Sequence, residues 1–144
     1  TKAIKALDFI GLNYYSRWHV KGHLNPNEPF TFEKRKQDIQ TDMPYSIYPE
    51  GFYKALNTVS KLEMPIIVTE NGIADDKDDR RKLFINRYLY ALFQAMQDGL
   101  VVNGYFYWSL MDNFEWAEGY SMKFGLYEVD FSSQDRNLRD GSKA

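Results

Sequence analysis

Pro65-Ile66-Ile67-Val68-Thr69-Glu70-Asn71-Gly72 is the stretch on which the fold turns. Its apolar run, set between helix-like segments, reads as a strand buried on both faces. A carboxylate stands where that strand ends and a turn begins. In parallel β/α folds this end of a strand is where chemistry is placed. Glu70 can there be a nucleophile, a base or a sugar ligand, and the stretch alone leaves the three open. Asn71-Gly72 also suits a tight hairpin turn. A long acidic loop and a helix follow instead of a partner strand, which weighs against the hairpin.

Outward from Glu70 the pattern alternates. Leu7 to Tyr14 reads as a first strand, and Ser16 to Met43 as a long polar connection broken by Asn25, Pro26 and Pro29. Such long connections are usually functional or mobile. A helix is expected from about Phe52 to Leu62, after Pro49 and Gly51. The acidic cluster Asp75, Asp76, Asp78 and Asp79 is expected to open a second helix, favourably for its dipole and its capping. That helix should run to about Asp98, stop at Gly99 and bury Ile85, Leu89, Leu92 and Met96. Val101 to Ser109 reads as a third strand, Phe124 to Phe131 as a short hairpin or extended arm, and Arg136 to Ala144 as a polar tail. Strand, helix, strand, helix, strand is the order of an α/β fold with a parallel sheet. Three strands close no barrel, so the chain is expected to be incomplete as a folding unit, its missing half lying in the same or another polypeptide.

Composition narrows the function. The 144 residues carry a formal net charge of −2, which suggests no nucleic-acid or anionic-membrane partner. No apolar run has the length of a membrane span, and no signal peptide is visible. The absence of cysteine excludes disulfides and thiol catalysis and favours a reducing, cytoplasmic compartment. Aromatic residues reach 17%, as eleven Tyr, ten Phe and three Trp. Most should fill the core, but flat apolar rings also suit the C–H faces of sugars.

Weaker signals fall away. Asp75 to Asn86 resembles a calcium loop only superficially, because Arg80 and Asn86 stand where the loop needs Gly and Glu. His19 and His23 have no carboxylate or Cys in a metal-ligand pattern and read as solvated loop residues. Tyr107-Trp108-Ser109-Leu110-Met111-Asp112-Asn113-Phe114-Glu115-Trp116 is more telling. Acids and amides beside indole rings suit a sugar subsite, whereas unpaired buried charge would be costly in a core. Asn13-Tyr14-Tyr15-Ser16-Arg17 ends the first strand, so three clusters at equivalent strand ends are placed to line one pocket.

Four motifs in order then resemble family 1 glycoside hydrolases, the retaining β-glucosidases and β-galactosidases on a (β/α)8 TIM barrel. They are Asp8 to Ser16, Ile67 to Gly72, Trp108 through Gly119-Tyr120, and Phe124-Gly125-Leu126-Tyr127. The resemblance implies that residues 1–144 are a partial catalytic domain, corresponding to about barrel strands six to eight. It implies Glu70 as nucleophile and Tyr15 as the tyrosine that hydrogen-bonds it. It also implies Asn13 as a pocket amide, Trp108 as the floor under the cleaved sugar, Glu115 and Trp116 as ligands of sugar hydroxyls, and Phe124 as a rim aromatic. Glu115-Trp116 resembles the branch acting on unphosphorylated β-glycosides. No metal or other cofactor is implied. The partners implied are a small-molecule or oligosaccharide β-glycoside and the N-terminal half-barrel. The family's acid/base Glu lies in an Asn-Glu-Pro motif on a strand absent from this chain. Asn27-Glu28-Pro29 has no apolar strand before it and reads as a decoy, so the chain alone is expected to be inactive. A catalytically silent carbohydrate-binding or interaction module on the same fold is the alternative, against which the presence of Glu70 speaks.

Overall fold

The computed structural model describes residues 7–143. Its centre is a three-stranded parallel sheet. β1 is Ile10–Asn13, a hairpin of β2 (His19–Gly22) and β3 (Phe30–Glu33) follows, and β4 is Ile66–Asn71 and β5 Val102–Tyr107. The sheet order is β1-β4-β5, with β4 in the middle. Helices α1 (Pro49–Ser60) and α2 (Arg81–Gln97) provide the crossovers. A second antiparallel pair, β6 (Tyr127–Val129) with β7 (Arg136–Leu138), closes the chain. The parallel βαβαβ core agrees with the sequence, and among the described residues the sheet is open rather than a closed barrel.

α1 starts earlier than expected, because Pro49 pre-sets the first helical turn. Gly51 permits close approach here: a Cβ would overlap the Tyr14 hydroxyl. Phe52 and Leu56 are fully buried, each burial being worth about 1.5–3 kcal/mol. The acidic cluster precedes α2 instead of forming its first turn. Asp75 still caps the helix, its Oδ2 accepting the N–H of Arg80 and of Arg81 at 2.8 Å each. At the other end Gly99, with φ of 91°, lets the Leu100 N–H reach the Ala95 carbonyl at 3.1 Å, a left-handed C-cap.

The buried face of α2 differs from the expected stripe. Phe84, Tyr88, Ala91, Leu92 and Ala95 pack inward, while Leu89 and Met96 are exposed. Phe84 and Tyr88 stack at 4.0 Å between ring centroids, and Tyr88 meets Phe52 at 5.6 Å. The expectation for β4 also needs correction. Ile66 and Val68 are buried under the helices, but Ile67 is only half-buried and Thr69 is exposed. One face of the sheet is covered and the other is open.

The polar connection from Ser16 to Met43 is not wholly irregular. Val20 pairs with Phe32 and Gly22 with Phe30. The polar tail likewise supplies β7, while Ala144 lies outside the described residues.

Candidate active site

β4 delivers Glu70 through a break in its own periodicity. Strict alternation would place residue 70 with Ile66 and Val68, beneath the helices. Leu12 and Asn13 of β1 instead pair with Val68 and Glu70 of β4. Val68 and Asn71 pair with Tyr105 and Tyr107 of β5. β4 thus carries one residue more than either neighbour here, a β-bulge around Thr69–Glu70. Beyond it Asn71 returns to the buried side. Asn71 accepts from the Tyr105 hydroxyl at 2.8 Å and donates from Nδ2 to the Tyr14 carbonyl at 2.6 Å. Glu70 stays half-buried, and the Tyr15 hydroxyl donates to its Oε2 at 2.9 Å.

Tyr15 is itself held. The Tyr88 hydroxyl donates to its carbonyl at 3.0 Å and accepts the Tyr48 N–H at 2.9 Å. Burial pushes the Tyr15 phenol well above its ordinary pKa, and the hydrogen bond to Glu70 and the nearby charges of Glu70 and Glu115 push it further. Tyr15 therefore remains a proton donor to the carboxylate across the neutral range. Tyr45 lies beside it at 6.2 Å between centroids. Its phenol is raised by burial and then by the charge of Glu115. The Glu115 carboxylate is thus felt both at the phenol that bonds Glu70 and at the ring beside it.

β5 leads into the second wall. The Trp108 N–H donates to the Asn71 carbonyl at 2.9 Å, and the Trp108–Ser109 peptide is cis. Gly72 makes this approach possible, because a Cβ there would overlap the Trp108 carbonyl. Trp108 and Glu115 are half-buried. Trp116 begins a single 3-10 turn ending at Glu118 and is 83% exposed. Asn13 is exposed at the end of β1, its Oδ1 accepting from the Thr69 hydroxyl at 2.6 Å.

Two expectations for this region change. Phe124, expected at the rim, is only 3% exposed and packs edge-on against Tyr15 at 6.1 Å, so it supports that ring from within. Asp112, read with the sugar-binding acids, is buried. Its Oδ2 accepts from Arg139 Nη2 at 2.7 Å, and its Oδ1 accepts the Gly125 N–H at 2.9 Å. Asn113 donates to the Ser109 hydroxyl at 3.0 Å. The charge that would be costly alone is paired, and Asp112 fastens the loop.

Sequence reasoning missed Arg81. It lies in a run of charges that reads as solvated surface, yet it is fully buried. Its guanidinium donates to the Asp78 carboxylate at 2.8 Å and the Tyr107 hydroxyl at 3.0 Å. It also reaches the carbonyls of Ile73, Asp75, Lys123 and Phe124 at 2.8 to 3.2 Å. One cation thereby ties together the segment after Glu70, the strand before Trp108 and the segment carrying Phe124. The run of apolar and small residues following Arg81 at helical spacing was the available hint that its face turns inward.

A carboxylate oriented by a half-buried phenol, beside aromatic rings and a second acid, is equipped for nucleophilic or general-base chemistry on a polyhydroxylated substrate. No group of three or more metal-ligating side chains is found among the described residues. No helix among them is long and apolar enough to cross a membrane.

The sequence profile described as glycosyl hydrolase family 1 matches residues 1–143. A β-galactosidase of Pyrococcus woesei is 38% identical, the match covering 96% of this chain and 31% of that protein. A solved β-glycosidase from Pyrococcus horikoshii superposes with a TM-score of 0.84 at 43% identity, covering 94% of this chain and 32% of that one. A β-glucosidase from Thermotoga maritima, solved in complex with glucoimidazole, gives a TM-score of 0.84 at 39% identity, covering 94% and 33%. The chain therefore spans about a third of the length of these relatives.

Proposed function

From the premise that the chain belongs to glycosyl hydrolase family 1, we propose that it is part of a retaining β-glycosidase acting on unphosphorylated β-glycosides, with Glu70 as nucleophile. On this reading it supplies about strands six to eight of a (β/α)8 barrel, and the remaining barrel is its partner. The observation that carries the reading is the hydrogen bond from Tyr15 to Glu70 at a bulged end of the central parallel strand.

In the proposed reaction Glu70 attacks the anomeric carbon and the bond to the leaving oxygen breaks. A second carboxylic acid from the rest of the barrel gives that oxygen its proton. The same group then removes a proton from water, which displaces Glu70 from the glycosyl-enzyme. Tyr15 holds the attacking carboxylate, Trp108 lies under the sugar, and Glu115, Trp116 and Asn13 take its hydroxyls. Glu28 is not assigned the acid's role. It sits in the β2–β3 turn, where its N–H donates to the Asn25 carbonyl at 3.1 Å.

The test is to assay aryl β-glucoside hydrolysis by this chain, by the complementary half-barrel and by their mixture. Activity only in the mixture, abolished by Glu70→Gln, is the expected result. Turnover by the Glu70→Gln mixture at the wild-type rate would remove Glu70 from the mechanism. Turnover by the chain alone would place a working acid within it.

A further inference from the structure

Tyr88 is a buried phenol in the helix layer, and the reaction above leaves it without a role. Its ring is held on three sides, stacked on Phe84 at 4.0 Å between centroids and meeting Phe52 at 5.6 Å and Tyr14 at 6.3 Å. The residue is fully buried, so its hydroxyl must find partners inside the fold. It finds two on different segments. It accepts the Tyr48 N–H at 2.9 Å, just before α1, and donates to the Tyr15 carbonyl at 3.0 Å, just beyond β1. Burial holds this phenol well above its ordinary pKa, so the donated proton stays in place across the neutral range.

The bond to Tyr15 falls where the sheet lets go of the chain. The Tyr14 N–H donates to the Glu70 carbonyl at 2.9 Å, and the Tyr14 carbonyl accepts from Asn71 Nδ2 at 2.6 Å. One residue on, the ladder has ended. Among the described residues the main chain of Tyr15 makes a single hydrogen bond, the one from Tyr88. The next tie is a side chain, the Ser16 hydroxyl donating to the Ser46 carbonyl. The hairpin beyond offers no substitute. His19, expected to be solvated, is largely buried against Asp38, with Nε2 2.7 Å from Oδ2, while Val20, Phe30 and Phe32 are exposed. Phe124 and Tyr45 flank the Tyr15 ring at 6.1 and 6.2 Å. Apolar contact is non-directional, however, and does not set how far the phenol reaches toward Glu70.

We propose that Tyr88 is a positioning residue for the reaction: by fixing the Tyr15 carbonyl from the helix layer, its hydroxyl sets the reach of the Tyr15 phenol to Glu70. This inference rests on the assignment of Glu70 above. Tyr88 acts through Tyr15 alone. The strength of the bond from Tyr15 to Glu70 depends steeply on geometry, so a small shift of the Tyr15 main chain is felt at the attacking carboxylate. An effect on the attacking group lowers kcat and leaves KM nearly unchanged.

The test uses the barrel reconstituted from this chain and its complement, with 4-nitrophenyl β-glucoside as substrate. Tyr88→Phe keeps the ring and its stacking and removes only the hydroxyl. It should lower kcat about fivefold with KM within about twofold, and in a Tyr15→Phe background it should change kcat by less than about twofold. The same fivefold loss in both backgrounds would overturn the proposal, because the hydroxyl would then act by general loosening of the fold. An unchanged kcat in the wild-type background would overturn it as well. If Tyr88→Phe does not assemble, replacing the Tyr15–Ser16 amide by an ester weakens the same acceptor and keeps every side chain. A fall in kcat of about threefold then supports the proposal, and an unchanged kcat overturns it. If Glu70→Gln retains turnover, the Glu70 assignment fails instead, and crystals of the assembled Tyr88→Phe barrel decide the hold on Tyr15. A Tyr15 hydroxyl moved beyond about 3.5 Å from Glu70 Oε2 supports it, and an unchanged contact overturns it.

Discussion

On the two sides of the β4 end, polar groups are treated in opposite ways. Toward α2 the Arg81 guanidinium is fully buried and surrounded by acceptors. Nearby, Asp112 is held by Arg139 and by backbone N–H groups. Toward the open face, Glu70 receives a side-chain hydrogen bond from Tyr15, and Trp116 stands largely in solvent. The contrast separates two uses of the same residue types. Saturated polar groups hold strands and loops in place, because an unpaired one would be costly. Lightly engaged groups keep capacity for a ligand.

The largest effect that follows is on stability. Arg81→Met should cost about 3–5 kcal/mol, because it leaves several buried carbonyls without their donor and takes the cation from the partly buried Asp78 carboxylate. Urea unfolding of the assembled barrel measures this, and an unchanged midpoint would erase the distinction between the two sides. Gly72→Ala should cost about 1–3 kcal/mol by forcing the Trp108 backbone away, with kcat/KM falling alongside Tm. If Tm falls and kcat/KM does not, Trp108 is detached from the site.

Tyr15→Phe should behave in the opposite way. It should lower kcat by about 10- to 100-fold while stability changes by less than about 1 kcal/mol. A large loss of stability would move Tyr15 to the holding side. The smallest effect concerns the hairpin. A hydrogen bond with His19 holds the Asp38 carboxyl below the usual range against the opposing effect of burial, aided by the charge of Arg17. A lowered folded pKa gives a contribution present above the unfolded value of about 4 and lost as pH falls through the folded one. Thermal unfolding across that window should lose part of its acid dependence in Asp38→Asn, and an identical profile would detach Asp38 from the hairpin's anchoring.

How much of this was legible in the sequence depends on how locally each feature is encoded. β4 and its acidic end could be read directly, since an apolar run followed by a turn needs no distant partner. The order of the parallel strands and helices could be read for the same reason. The role of Asp112 could not, because Arg139 lies 27 residues further on. The buried face of α2 was misread because Ile85, Leu89 and Met96 have helical spacing, whereas the packed face begins with an arginine. The hairpin was read as a loop because its apolar side faces outward, so its period-two pattern lacked the usual meaning. Tyr45 was passed over because no short motif marks it. Only the fold places it between Tyr15 and Trp18.

The extra residue in β4 acts as a frame setting for everything downstream on that strand. Removing Thr69 would restore strict alternation yet leave the acid on the open face and the amide beneath the helices, because Val68, Glu70 and Asn71 would then alternate without the extra residue. Flattening the bulge with every residue kept would do the opposite, sending the acid beneath the helices and the amide to the open face. The position of the reactive group is therefore stored in how the neighbouring strands absorb one surplus residue, and a shift of pairing register with no change of sequence is enough to erase it.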